Sequence, residues 1–144
     1  IEASRRESWL LGTSTCLAYV DIDDFKKVNT RVTETRVDRE VLPPFMMLLE
    51  AHTSSRGYAF RYGGDEYVII FPNADESTAS ALLNNMRLDI EKATFGREKL
   101  TTSIGFVVVP DDCPLTNTEI LSRANVAKNA AKASGKNRVE MGKL

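Results

Sequence analysis

Three acidic side chains in two separate places could do chemistry in this 144-residue chain. Asp21 closes the apolar run Cys16-Leu17-Ala18-Tyr19-Val20, and Asp65 and Glu66 follow two glycines in the stretch RYGGDEYVIIF. Clustered carboxylates repel one another unless a cation joins them, so a fold that gathered these three would build a cation site. Ligands of oxygen alone, with no His or Cys beside them, suit Mg²⁺ or Mn²⁺, which keep waters and complete their shells with substrate phosphates. Two such ions could polarise a triphosphate and lower the pKa of an attacking hydroxyl. Phosphate partners are available in the same stretches. Backbone N–H groups of the Asp23-Asp24-Phe25 turn would meet an anion at a helix N-terminus. Lys26 follows that turn, and Lys132 and Lys136 lie around Gly135 at the end of the last helical segment, as mobile cations.

The elements that must position these groups follow from periodicity. Residues 16 to 22 form a continuous apolar run bounded by acids, as a strand covered on both faces does. The next residues, DDFKKVNT, turn into a short helix with Asp23 or Asp24 as its cap. Asn29 in it reads on its own as a helix-end cap. Asp38 to about His52 reads as a helix, provided Pro43-Pro44 falls in its first turn. Strands at 58 to 62 and 66 to 71 flank Gly63-Gly64, a hairpin signal because both glycines can take positive φ without a Cβ clash. A helix over 76 to 93, a strand over 100 to 109, a helix from Thr118 to Ala133 and a short strand near Arg138 to Met141 complete the chain. The order β-α-α-β-β-α-β-α-β predicts an α/β, or α+β, sandwich: a ferredoxin-like, palm-type, mainly antiparallel sheet flanked by helices. In that topology the first strand lies beside the hairpin, which carries Asp21 to Asp65 and Glu66.

Composition bounds what such a site could serve. A chain that is 42% hydrophobic and 27% charged has the makings of one folded domain with its own core. Its formal net charge of −1 argues against a general nucleic-acid surface, so no DNA or RNA partner is expected, and any phosphate should be met by a few placed cations. Cys16 and Cys113 lack metal-ligand spacing and fit a reducing, cytoplasmic compartment. No stretch is long enough to span a membrane. The domain is expected over residues 16–144. Residues 1–15, which begin without Met, read as a link to an upstream part such as a sensor, with Trp9-Leu10-Leu11 packed on the domain or docked to that neighbour.

RYGGDEY together with the upstream DIDDFKKVN resembles the GGDEF domain of diguanylate cyclases, which condense two GTP into cyclic di-GMP. TTSIGF at 101 to 106 and AKASGKNRV at 131 to 139 resemble the family's later strand and its lysine-bearing helix end. The resemblance implies that Asp21, the carbonyl of Ile22 and Asp65 hold two metal ions, with Glu66 a further ligand or the base for the 3′-hydroxyl. It implies that the Asp24-Phe25 backbone with Lys26, and Lys132 with Lys136, hold the β- and γ-phosphates, and that Asn29 reads guanine. Asp38 corresponds to a second guanine contact, although its distance to Gly63 is one residue longer than the family's. Since one domain holds one nucleotide, turnover implies a homodimer.

Departures from the pattern are specific. The family's N-terminal DxLTGLxNR segment is absent, and NTRVTETRVD stands where NDxxGHxxGD is expected. Asn125 and Asn129 occupy positions usually Asp and Tyr. Ser54 and Gly57 stand where an RxxD product site would need Arg and Asp, so feedback inhibition there is not expected. The metal and phosphate groups persist while the base-reading region drifts, which leaves ATP or a mixed product open beside GTP. Three readings remain: a cyclase, a GGDEF-like module that binds GTP or a partner without turnover, and an interaction domain with no nucleotide. The palm domain of type III CRISPR large subunits shares the same hairpin and is a related comparison.

Overall fold

The computed structural model describes Ala3 and residues 14–144. Most of the expected N-terminal segment over residues 1–15, Trp9-Leu10-Leu11 included, lies outside the described residues, while its last residue, Thr15, opens the first strand. Five strands form one sheet: β1 (Thr15–Ile22), β2 (Tyr58–Arg61), β3 (Glu66–Phe71), β4 (Thr102–Val109) and β5 (Arg138–Met141), in the spatial order β2-β3-β1-β4-β5. Every pairing is antiparallel except β4 with β5. The sheet is thus mainly antiparallel with β1 at its centre beside the hairpin strand β3, as the element order predicts.

The burial of β1 explains its unbroken apolar sequence. Cys16, Ala18, Val20 and Ile22 face one side of the sheet and join the main core, whereas Leu17 and Tyr19 face the other and join a smaller one. Strand alternation then places Asp21 at the end of the Leu17-Tyr19 face. All eight residues of β1 are buried.

The main core lies under the helical segments that follow β1 and β3. Helix α1 (Phe25–Val32) contributes Val28 and Val32. Thr33, at φ 85°, breaks the chain before α2 (Glu34–Arg36), which runs into a π-helical turn at Val37–Val41 and then α3 (Leu42–Thr53). The sequence reading, one helix from Asp38, needs correction here. Pro43 and Pro44 do fall in the first turn of α3, but having no N–H they cannot bond the carbonyls four residues earlier. The backbone widens there instead, and the Leu42 N–H donates to Val37 O, a five-residue loop. Helix α4 (Glu76–Lys92) completes this layer with Ala79, Leu83, Met86 and Ile90, its start fixed by Asp75, whose side chain accepts from the Thr78 N–H at 2.8 Å.

The opposite face carries α5 (Asn117–Ala133), the crossover between β4 and β5. A capping box, with Thr116 and Glu119 bonding each other's backbone N–H, fixes its start. Gly105 lets it sit close. A Cβ there would lie 2.0 Å from the Lys128 nitrogen, 2.4 Å from Ala124 O and 2.5 Å from Ala127 C, all backbone atoms. Gly105 pairs with Tyr19 across the β1–β4 ladder, so this close approach sets α5 directly over the face on which Asp21 ends.

Candidate active site

The site is built where β1 ends beside the β2–β3 hairpin. Asp21 pairs with Glu66 in register, and the Ile22 N–H donates to Asp65 O at 3.1 Å, so main-chain bonds fix all three acids together. The hairpin is closed by the N–H groups of Tyr62 and Gly63, both donating to Glu66 O at 2.8 and 3.1 Å. The Arg61 guanidinium donates to Gly63 O at 3.2 Å and Gly64 O at 2.9 Å. Neither glycine has positive φ, which corrects the expected reason for their presence. The loop spans four residues, not two, so it does not require the mirror-image turn that a two-residue connection demands. A Cβ on Gly64 would meet nothing within 4 Å, and one on Gly63 only Glu66 Oε1 at 3.5 Å. Neither position is crowded, so a close approach of the backbone does not account for the glycines.

Asp21 is buried and in an unusual state. Burial, followed by the neighbouring Asp65 carboxyl, pushes its pKa up to about 6, with Lys132 pulling the other way. Its Oδ2 meets two ammonium groups, Lys132 at 3.1 Å and Lys128 at 3.5 Å, while its Oδ1 is buried with no hydrogen-bond partner. An orphaned, buried carboxylate oxygen costs desolvation without compensation, so it marks a place for a cation or a donor. Among the described residues no three Asp, Glu, His or Cys side chains close into a ready metal cage. Lys128 stands between Asp21 and Glu66, 3.5 Å from Glu66 Oε2 as well.

The turn into α1 supplies the other groups. Asp24 occupies the N-cap position at φ 55°, yet its side chain caps nothing, which corrects the expectation of a capping acid. It pairs instead with Lys136 at 2.7 Å, and this ammonium holds its carboxyl below the usual range. Among the described residues the Asp24 and Phe25 N–H groups have no partner, and Lys26 is exposed on the first turn. Lys132 and Lys136, expected near Gly135, both meet acids of the site. Lys132 sits on Asp21 and 3.8 Å from Asp23, and Lys136 sits on Asp24. Asn29 lies inside α1, where its side-chain Oδ1 is buried without a partner; its helix-ending role falls to its backbone carbonyl, which accepts from Thr33 N. Asp38 is exposed on the π-helical turn, near enough to Tyr67 to raise that phenol's pKa after burial and Asp65.

Sequence reasoning missed several supporting groups. Buried Asp23 accepts from Thr101 Oγ1 at 2.7 Å, Ser103 Oγ at 2.6 Å and the Asn137 N–H at 3.0 Å, tying the β1–α1 turn to β4 and to the loop after α5. Thr101 and Ser103 belong to TTSIGF, and their alternate spacing could have signalled a shared face. Lys128 was also missed. It is four residues before Lys132, so helical spacing alone puts both on one side of α5. Its ammonium lies 5.1 Å from the Tyr19 ring centroid, over the ring.

Taken together, the fold is a ferredoxin-like sheet with a carboxylate and lysine cluster at one edge. The profile of the family described as "Diguanylate cyclase, GGDEF domain" matches residues 4–138. The chain belongs to the GGDEF domain family. It is similar to the active GGEEF domain of a diguanylate cyclase from Vibrio cholerae, with a TM-score of 0.87 at 24% identity over 99% of this chain and 91% of that one, a likeness of fold. It is similar to the GGDEF domain of DgcB from Caulobacter crescentus, solved in complex with c-di-GMP, with a TM-score of 0.85 at 26% identity over 96% and 84% of the two chains. An uncharacterized membrane protein of Staphylococcus aureus (strain USA300) is 31% identical over 131 residues, covering 88% of this chain and 36% of its own length. The chain therefore spans about a third of the curated relatives it matches. Among the described residues no helix is long and apolar enough to cross a membrane.

Proposed function

We propose that this domain is a metal-dependent nucleotidyl cyclase that condenses two nucleoside triphosphates, GTP by default, into a cyclic dinucleotide such as cyclic di-GMP. The observation that carries the reading is the buried Asp21 Oδ1, which lacks a hydrogen-bond partner and lies on a carboxylate neighbouring Asp65. These residues fit a divalent cation: Asp21 Oδ1, the Ile22 carbonyl and Asp65 would hold Mg²⁺ or Mn²⁺, with Glu66 as a further ligand or as the base for the 3′-hydroxyl. When bound, the cation neutralises phosphate charge and makes that hydroxyl more acidic. The chain's own groups do the rest. The free Asp24 and Phe25 amides, with Lys26, Lys132 and Lys136, take the β- and γ-phosphates, so pyrophosphate leaves toward positive charge. The two lysines at the end of α5 must share themselves between phosphate and their present partners, Asp21, Asp23 and Asp24. The orphaned Asn29 Oδ1 suits a base N–H, with Asp38 as a second contact. Two domains facing each other bring each 3′-hydroxyl to the other's α-phosphate, so a homodimer is part of the reaction. A nucleoside triphosphate substrate places the domain in the cytoplasm, with the remainder of a longer chain acting as anchor or sensor.

The test is mass spectrometry of products after incubation with each nucleoside triphosphate, alone and mixed, with Mg²⁺ or Mn²⁺ and over a range of protein concentrations. A cyclic dinucleotide with pyrophosphate is expected, rising more than linearly with protein and absent from the Asp65→Ala, Glu66→Ala variant. The second reading is a module that holds GTP, or contacts a protein partner, without turnover. It is favoured by the two lysines already seated on Asp21. Nucleotide binding with Mg²⁺ and no cyclic product even at high protein concentration would establish it.

A further inference from the structure

Lys128 differs from the other cations of the site. It is 6% exposed, whereas Lys26 lies in solvent and Lys132 and Lys136 are partly open. Its ammonium lies 3.5 Å from Asp21 Oδ2, 3.5 Å from Glu66 Oε2 and over the Tyr19 ring, so carboxylate oxygens and a π-face surround it. Burying an ammonium is costly unless it is paired in this manner. Gly105 makes the position possible, since the backbone nitrogen of Lys128 itself lies where a Cβ would go. A carboxylate that bridges two metal ions gives one oxygen to each. Asp21 cannot do so here, because Oδ2 already faces Lys128 and Lys132 and only Oδ1 is without a partner. Glu66, likewise, has one oxygen turned to Lys128.

We propose that the Lys128 ammonium is a built-in cation that takes the place of a second divalent ion, so that each domain holds one ion, on Asp21 Oδ1, the Ile22 carbonyl and Asp65. The inference rests on the cyclase reading above and narrows it. Glu66 then acts with Lys128 and not as a metal ligand. A fixed positive charge also screens Asp21 from Glu66 when no ion is bound, which keeps the acids together in the free domain.

The experiment counts Mn²⁺ retained per domain by electron paramagnetic resonance. It uses a GTP analogue with a methylene between the α- and β-phosphates, which binds without reacting. The wild-type domain should retain one Mn²⁺ at saturation. Lys128→Met keeps the aliphatic length and removes the charge; with Lys132 drawn from Asp21 to the phosphates of the bound analogue, the variant should retain two, a twofold rise. Melting in EDTA gives a second readout: Lys128→Met should melt below wild type without metal and gain more from added Mn²⁺ than wild type does. Two ions on the wild-type domain, or one on both proteins, overturn the inference and leave the cyclase reading standing. No Mn²⁺ retained by either protein overturns both. If Lys128→Met does not fold, the wild-type count alone decides.

Discussion

Gly105→Ala is the perturbation that most directly tests how the site is positioned. The added Cβ would lie 2.0 Å from the Lys128 nitrogen, and ordinary contact begins at 3.4 Å, so the helix backbone must retreat by about 1.4 Å. No flexible side chain can absorb this, because all three nearest atoms belong to the α5 backbone. Overpacking of this kind costs on the order of 1–3 kcal/mol, which for a domain of this size lowers Tm by about 2–12 °C. The functional loss should be larger than the loss of stability. A retreat of about 1.4 Å carries Lys132 away from Asp21, 3.1 Å distant at present, and Lys128 from both its carboxylates. Displacements of about 1 Å at reacting groups cost roughly 100-fold in rate. The assays are thermal melting, Mn²⁺ retention, and cyclic product formed at a temperature where both proteins are folded. A variant melting within about 1 °C of wild type with unchanged product formation would refute the argument that the close approach of α5 to β4 places the lysines.

Gly64→Ala should be the opposite case. Its Cβ meets nothing and its φ is not positive, so stability should hold or rise by about 0.4–1 kcal/mol, which melting curves would check. Asp21→Asn should abolish Mn²⁺ retention while leaving the circular dichroism spectrum folded, since it removes the anion and keeps the shape. The cap of α4 sets an acid-side dependence. The Thr78 N–H holds the Asp75 carboxyl below its ordinary value of 3.8, so its contribution is complete above that value and is lost as pH falls through the depressed folded value. Asp75→Asn retains a capping oxygen without the charge, and melting curves followed down to acid pH should then lose this part of the decline.

Much of the fold was legible because its elements have clear periods. β1 is apolar throughout since both faces are covered, and helices α4 and α5 carry apolar stripes between clear stop signals. The π-helical turn was not legible: its cause, two prolines, lies downstream, and its effect is spread over carbonyls that the sequence pattern does not mark. The hairpin was found for an incorrect local reason, since glycine suggests positive φ whether or not the turn uses it.

By itself the sequence determined the three acids, the strands that carry them and the lysines near Gly135, because side-chain chemistry and strand alternation are local properties. Tertiary structure decided which cation meets which acid. Lys128 reads as one more polar residue between Ala127 and Asn129, and Asp23 as a turn acid. Only the seating of α5 on Gly105 turns the first into a buried partner of Asp21 and Glu66, and only the closure of β4 against β1, together with the loop after α5, gives the second its three donors. The physical reason is that charge pairing depends on distances of a few ångströms between segments more than sixty residues apart, and those distances are set by backbone packing.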